Sequence, residues 1–207
     1  MGAQSVLLYA IWTPNTYLIT YNANGASGSA QRGGSAVSTD NYTTAGTAVT
    51  LPGVGTYVLT GYTFSGWATT PNGGTVISGS FTTTANVTLY AQWIINVIPV
   101  NYAKGAASAS PFTAFPANTS SNYGTRITLS GSLDTTVTIG GFAHVFVGWS
   151  DGSSIYRSGD TYLLSDNAVT FTAQWVQVFG VRYTFAGGTP NGSDAVTDAE
   201  CLLAGNL

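Results

Sequence analysis

The chain has 207 residues, 44% of them apolar and 13% aromatic, which is enough to bury one or two cores and is typical of a folded protein. Charged residues make up only 6%, and the net charge of -3 comes from acids and bases scattered singly. This leaves no basic stripe, so the composition argues against nucleic acid as a partner. The apolar run at residues 6–12 is too short to cross a bilayer and lacks the flanks of a signal peptide, so we expect no membrane insertion here and any export signal outside this sequence.

Three closing segments mark an internal repeat. They read SVLLYAIW, NVTLYAQW and AVTFTAQW, and end at Trp12, Trp93 and Trp175, so they recur at intervals of 81 and 82 residues. Apolar and polar residues alternate in each segment, as they do in a strand with one buried face. The inward positions predicted for the first two copies are Val6, Leu8, Ala10 and Trp12, then Val87, Leu89, Ala91 and Trp93.

Opening segments recur with the same period. They read YLITYNANG, IPVNYAKG and GVRYTFAGG, around Tyr21, Tyr102 and Tyr183. A third landmark, GYTFSGW ending at Trp67, returns one period later as HVFVGW ending at Trp149. The predicted inward residues of the opening strands are Tyr17, Ile19 and Tyr21, then Ile98, Val100 and Tyr102, then Phe179, Val181 and Tyr183.

The landmarks divide the chain into four parts. Residues 1–12 are predicted to be the closing strand of a preceding repeat, 13–93 the first repeat, 94–175 the second, and 176–207 the start of an incomplete third. Only a few residues join one unit to the next, so we expect units placed end to end with restricted bending. The stretches 26–46 and 106–123 are rich in Ser, Gly and Thr or small residues, and are predicted to be loops or an irregular edge.

The motifs resemble a known repeat family. The series YNANG, TAVTLP, GYTFSGWATTPNGGT and VTLYAQW is similar to the Listeria-Bacteroides repeat, the internalin B-repeat type of bacterial surface protein. The second copy keeps GW and AQW but has AKGAASAS in place of NANG. The resemblance implies a predominantly β fold of tandem β-grasp-like (ubiquitin-like) units, each as long as the period of about 81 residues. It also implies arrays on secreted or wall-attached proteins, including adhesins, and no catalytic activity. The sequence itself has no window rich in Ala, Leu, Glu and Lys, so we expect little or no helix.

Aromatic residues that recur in register are predicted to be core, because every unit must bury the same face. A sugar-binding platform is the alternative for the tryptophans, but their placement in register favours packing. The predicted structural core comprises Trp12, Tyr21, Phe64, Trp67, Leu89, Trp93, Tyr102, Phe146, Trp149, Phe171, Trp175 and Tyr183. The residues predicted to be better placed for an exposed contact patch are Tyr42, Tyr57, Tyr123, Tyr156 and Tyr162.

Reactive side chains are few and isolated. His144 aligns with Tyr62 and has no evident partner for catalysis, so it is interpreted as a substituted aromatic of its strand. Cys201 is the only cysteine and cannot form an internal disulfide. Three acids of the second unit could gather around calcium, but turn formation is the preferred interpretation, since their spacing fits no known loop; they are Asp151, Asp160 and Asp166. We therefore expect no enzyme activity, cofactor or metal site.

Three functions are compatible with these features. The first is a non-catalytic structural segment of an extracellular or cell-surface bacterial protein, either a stalk or an adhesin array, whose partners are neighbouring repeats. The second is a subunit of an extracellular filament, in which incomplete repeats of neighbouring chains pair. The third is a module that binds a glycan or a host surface protein. The strands predicted to self-associate carry Val6, Leu8, Ala10, Trp12, Phe179, Val181 and Tyr183.

Overall fold

A computed structural model describes residues 5–44, 46–110, 112, 114–131, 133, 136–165, 167–180 and 200–201. Strands dominate this part of the chain, and its helix content is one 3₁₀ turn, Gly105–Ala107. The prediction of a predominantly β protein with almost no helix is therefore confirmed. The chain divides into two compact units, residues 1–96 and 97–207.

The first unit is organised around a four-stranded sheet in the order β4-β1-β8-β6. β1 runs parallel to β8, and the other neighbours are antiparallel. Two short ladders, β2 with β3 and β5 with β7, lie outside this sheet. The strands are β1 (Thr16–Asn22), β2 (Gln31–Arg32), β3 (Ser35–Ala36), β4 (Thr39–Thr43), β5 (Val49–Thr50), β6 (Tyr62–Ala68), β7 (Ser80–Phe81) and β8 (Val87–Ile95).

The second unit repeats this arrangement in a larger sheet, β10-β9-β16-β13-β12, with β14 also paired to β13. Its first and last long strands, β9 and β16, again lie parallel and adjacent. β11 pairs with β15 in a separate ladder, and β17 pairs with β18. The strands are β9 (Val97–Ala103), β10 (Thr119–Asn122), β11 (Arg126–Thr128), β12 (Val137–Ile139), β13 (Phe142–Ser150), β14 (Ile155–Tyr156), β15 (Thr161–Leu163), β16 (Val169–Gln177), β17 (Phe179–Gly180) and β18 (Glu200–Cys201).

Each unit has its own core on one face of its sheet. In the first, inward residues of β1 and β8 such as Ile19 and Leu89 are buried, as strand alternation requires. The irregular segments between the long strands cover this face and contribute Ala30 and Leu51. In the second unit the core comprises Ile98, Val100, Leu129, Leu133, Trp149, Leu164, Val169, Phe171 and Ala173.

The strand predicted at residues 6–12 is not formed. Residues 5–15 adopt no strand, and Val6, Leu8 and Trp12 are 80%, 90% and 87% exposed. A strand needs a neighbour for its backbone hydrogen bonds, and none of the described strands pairs with this segment. The assignment of Trp12 to the core, and of Val6, Leu8 and Ala10 to a buried face, is therefore wrong for this structure.

The segment 26–46 contains more regular structure than the sequence suggested. Its residues 39–43 form β4, a full edge strand that pairs with β1 over five residues. In the second unit, residues 119–122 form the corresponding edge strand, β10. Both strands consist mainly of Thr, Ser and Asn, a composition that gives little indication of a strand. They form because each pairs with a neighbouring strand, and not because of intrinsic strand propensity.

The predicted third opening strand is described only at its start. Phe179 lies in β17 and is about half exposed, whereas Val181 and Tyr183 lie outside the described residues. β17 pairs antiparallel with Glu200–Cys201.

Candidate functional site

Four aromatic residues form a connected cluster in the first unit, which we call the aromatic quartet. Tyr21 on β1 and Phe64 on β6 contact the Trp67 ring, with ring centroids 4.9 and 5.6 Å apart respectively. Phe64 also lies 5.5 Å from the Trp93 ring on β8, nearly edge to face. Such tilted and edge-to-face pairs are favourable arrangements for aromatic rings. The quartet therefore links three of the four strands of the sheet.

The second unit contains the same quartet. The Tyr102 ring lies 4.9 Å from that of Trp149, and Phe146 lies 5.0 Å from Trp149 and 5.8 Å from Trp175. Trp149 is fully buried, as is Trp67 in the first unit. The repeat detected in the sequence is thus a repeat of side-chain contacts.

A bulge explains how the quartet assembles. Residues three apart in a regular strand point to opposite faces, yet Phe64 and Trp67 both pack on the core. The register of β6 against β8 shifts between Phe64 and Gly66, and that of β13 against β16 shifts between Phe146 and Gly148. The extra residue in each bulge turns the following Trp inward.

The buried tryptophans also make the same kind of hydrogen bond. Trp67 Nε1 donates to the Pro52 carbonyl at 2.8 Å, and Trp149 Nε1 donates to the Ser130 carbonyl at 3.2 Å. Each bond joins the sheet to the segment that covers its core. A buried indole N–H without such a partner would destabilise the fold.

The closing tryptophans join the last strand of a unit to the turn after the first. Trp93 Nε1 donates to the Ala23 carbonyl at 3.1 Å, and Trp175 Nε1 donates to the Lys104 carbonyl at 2.8 Å. Both tryptophans are half-buried. The acceptor lies at nearly the same distance along the chain in the two units. The closing Trp therefore fixes where the chain turns at the opposite end of the repeat.

The residue that follows the carbonyl bonded by the closing Trp differs between the units but has a similar backbone conformation. Asn24 has φ 51° and Gly105 has φ 59°, both in the left-handed region. The Asn24 amide donates to the Ala91 carbonyl at 2.9 Å, whereas a Cβ on Gly105 would lie 2.5 Å from the Ala173 carbonyl. The turn thus packs against the same point of the last strand, through a side chain in one unit and through the backbone itself in the other.

This geometry lies within a segment that matches a known family. The family model of the Listeria-Bacteroides repeat domain matches residues 17–92, which contain three of the four quartet residues of the first unit, Tyr21, Phe64 and Trp67. Residues 17–92 are a Listeria-Bacteroides repeat. The prediction of that family from the sequence is confirmed.

Two relatives extend the similarity along the chain. Both are proteins of Evansella cellulosilytica, one named "Putative Gly-rich membrane protein" and 30% identical over 91% of the chain, the other named "Putative membrane protein" and 30% identical over 84%. The chain spans only 20% and 24% of the lengths of these relatives. No solved structure is significantly similar to the chain.

A polar cluster in the first unit has no counterpart among the described residues of the second. Asp40 accepts the Tyr21 hydroxyl at 2.8 Å and forms a two-point ion pair with the Arg32 guanidinium, which also donates to the Thr50 carbonyl. Hydrogen bonding by Arg32 lowers the pKa of Asp40, although burial opposes it. Burial, followed by the bond to Asp40, raises the pKa of Tyr21, so its hydroxyl stays protonated as a donor.

This cluster predicts an acid-dependent contribution to stability. Because the pKa of Asp40 is lower when the repeat is folded, its contribution is fully present above the unfolded pKa of about 3.8 and is lost as pH falls from that value through the lower folded pKa. We expect Asp40→Asn to destabilise the repeat by about 1–3 kcal/mol near neutral pH, and the difference from wild type to shrink in acid. Hydrogen exchange followed peptide by peptide measures this, with the second unit as internal control. An equal difference at both pH values would contradict the assignment.

The tyrosines predicted to form an exposed patch are not exposed. Tyr42 is buried and Tyr57 packs against the core of the first unit. The other three pack against the core of the second unit; they are Tyr123, Tyr156 and Tyr162. That prediction is wrong, because these residues lie either on short strands added to a sheet, as Tyr42 does, or on the segments that cover the core, and the sequence pattern does not reveal the inward face of either.

The candidate reactive groups have structural contacts. His144 Nδ1 lies 2.9 Å from the Phe142 carbonyl, within β13. Asp151 accepts the amides of Ser153 and Ser154 at 2.8 Å each, which lowers its pKa. Asp160 accepts the Arg157 amide at 2.7 Å. These two acids therefore form turns, while Asp166 and the side chain of Cys201 lie outside what the structure describes.

Within the described residues, no group of three or more His, Cys, Asp or Glu side chains could hold a metal ion. Over the same ranges, no helix is long and apolar enough to cross a membrane. An open cleft in the first unit is lined entirely by hydroxyl-bearing residues: Tyr42, Thr44, Thr82, Thr83 and Thr84. The Thr83 hydroxyl is already engaged with the Ala85 backbone, which leaves part of this lining occupied by the fold.

Proposed function

We propose that the chain is a non-catalytic structural segment of a bacterial extracellular or cell-surface protein, in which Listeria-Bacteroides repeats are strung in tandem. The observation that supports this most is the aromatic quartet, built twice with equivalent hydrogen bonds from both tryptophans. Its aromatic rings serve the core rather than a ligand surface. The surface location rests on the repeat family and on the printed names of the two relatives.

The strand order supports a β-grasp-like interpretation of each unit. In both sheets the first long strand lies between its antiparallel edge partner and the last strand, to which it is parallel. A parallel neighbour requires a crossover, and here the crossover carries the short ladders that cover the core. The described residues place no helix longer than a single turn in these crossovers. We therefore propose a reduced β-grasp in which short strands replace the helix.

Antibodies raised against residues 16–177 test the location. They should label intact cells that produce the full-length protein, without permeabilisation. Labelling that requires permeabilised cells would contradict a surface role.

A replacement experiment then separates a stalk from an adhesin. In this experiment the repeats are first deleted, which abolishes the attachment of cells. If the segment is a spacer, an unrelated pair of domains of similar length inserted in its place restores attachment. If only the native repeats restore it, they are the adhesive element.

A second candidate function is self-association through residues 6–12. This segment has the sequence pattern of a closing strand, yet its large apolar side chains are 70–96% exposed. Exposed, strand-forming apolar segments favour pairing with another chain. Light scattering at high concentration should then show assemblies that disappear when residues 1–12 are removed or when Leu8 and Ile11 are both replaced by Lys. If the intact chain and both altered proteins are all monomers at high concentration, this function is excluded.

A further inference from the structure

Two identical Asn-Gly dipeptides in the first unit have different surroundings. Asn24–Gly25 lies in the turn after β1, and Asn72–Gly73 lies in the loop after β6. Asn-Gly is the dipeptide most prone to spontaneous loss of the Asn amide, because Gly leaves its backbone nitrogen unhindered. Since the local sequence chemistry is the same, any difference in reactivity must come from the fold.

The Asn24 side chain is held by two strong hydrogen bonds. Its Nδ2 donates to the Pro71 carbonyl at 2.7 Å and to the Ala91 carbonyl at 2.9 Å, and Asn24 itself is half-buried. Loss of the amide would replace this donor with a carboxylate oxygen that faces two carbonyl oxygens. The product is therefore disfavoured, and the reaction first requires both hydrogen bonds to open.

Asn72 lies in the opposite situation. It is exposed in a bend, and none of the side-chain hydrogen bonds among the described residues involves it. Gly73, with φ +68°, and Gly25, with φ +94°, are equally open, since a Cβ added at either would meet no atom within 4 Å, so the difference between the two dipeptides lies in the Asn side chains. Pro71, whose carbonyl accepts Asn24, immediately precedes Asn72. The two dipeptides are thus neighbours in space, one held and one free to react.

We propose that Asn72 is a site of spontaneous, non-enzymatic deamidation, and that the fold protects Asn24 from the same reaction. The Gly73 nitrogen attacks Cγ of Asn72, a C–N bond forms, and Nδ2 leaves as ammonia, taking up the proton from the Gly73 amide. Water then opens the resulting succinimide to aspartate or isoaspartate. No oxidant or reductant is needed. The modification adds one negative charge to a chain whose net charge is -3.

Peptide mapping by mass spectrometry tests this on the whole chain. The folded protein is kept in mildly alkaline buffer and sampled over time, alongside the same protein in denaturant. We expect the Asn72 peptide to lose its amide at least about tenfold faster than the Asn24 peptide when folded, which corresponds to about 1.4 kcal/mol of opening free energy. In denaturant the two rates should converge. Asn191–Gly192, outside the described residues, is followed as a separate peptide.

Two variants mimic the products directly. Asn72→Asp should leave the denaturation midpoint of the first unit unchanged, whereas Asn24→Asp should lower it. Equal amide loss at both sites in the folded chain would overturn the proposal, and so would amide loss that occurs at Asn72 only after denaturation. Neither outcome would bear on the surface role proposed above, because the reaction depends only on the fold of the first unit.

Discussion

Replacing Trp149 with Ala is expected to lower the free energy of unfolding of the second unit by about 3–5 kcal/mol. The Trp149 side chain is fully buried, and the centroids of three aromatic rings, Tyr102, Phe115 and Phe146, lie 4.9, 5.9 and 5.0 Å from its own. The substitution leaves a cavity at the centre of the quartet. It also leaves the Ser130 carbonyl without its indole donor. Both effects act in the same direction.

The chain provides a matched control in Trp12. It occupies a closing-segment position but is 87% exposed, so Trp12→Ala should change stability by no more than about 0.5 kcal/mol. Trp67→Ala should destabilise the first unit as Trp149→Ala does the second. Denaturation followed by hydrogen exchange assigns each loss to its unit. A loss below about 1 kcal/mol for Trp149→Ala would show that the quartet does not hold the unit together.

Register was the most informative feature of the sequence. Tyr21, Phe64 and Trp67 recur after 81, 82 and 82 residues respectively, and this nearly equal spacing places them at the same point of each unit because each unit buries the same face. The alternation of apolar and polar residues predicts the long strands for the same reason. The segment 6–12 shows the limit of this argument. It has the alternation of a closing strand, but alternation predicts which face a strand would bury and does not supply the neighbour that the strand needs.

The remaining features depend on contacts between segments far apart in the chain. Tyr42 lies on an edge strand with weak strand propensity, and its burial follows from pairing with β1. The ion pair of Arg32 with Asp40 brings together two members of a sparse set of charged residues, and nothing in their spacing along the chain marks it. The bulges leave one usable signal, since Phe and Trp three residues apart can share a face only if the strand is irregular between them.

The Gly before Trp149 provides the second large expected effect. Gly148 has φ +155°, and a Cβ there would lie 2.5 Å from the Tyr156 carbonyl oxygen, which is backbone and cannot rotate away. Gly148→Ala therefore combines an unfavourable backbone conformation with a clash between β13 and β14. A side chain held at this φ costs about 1–3 kcal/mol. The clash adds about 1–3 kcal/mol, the usual cost of overpacking.

Gly152 separates these two contributions. It also has positive φ, +96°, but a Cβ there would meet no atom within 4 Å, so Gly152→Ala should cost only the conformational part, about 1–3 kcal/mol. The loss of stability of Gly148→Ala beyond that of Gly152→Ala measures how tightly the bulge packs against β14. Because the bulge turns Trp149 inward, we also expect a change in tryptophan fluorescence for Gly148→Ala and none for Gly152→Ala. Equal costs and unchanged spectra for the two variants would mean that the bulge tolerates a side chain and that Trp149 is positioned by other contacts.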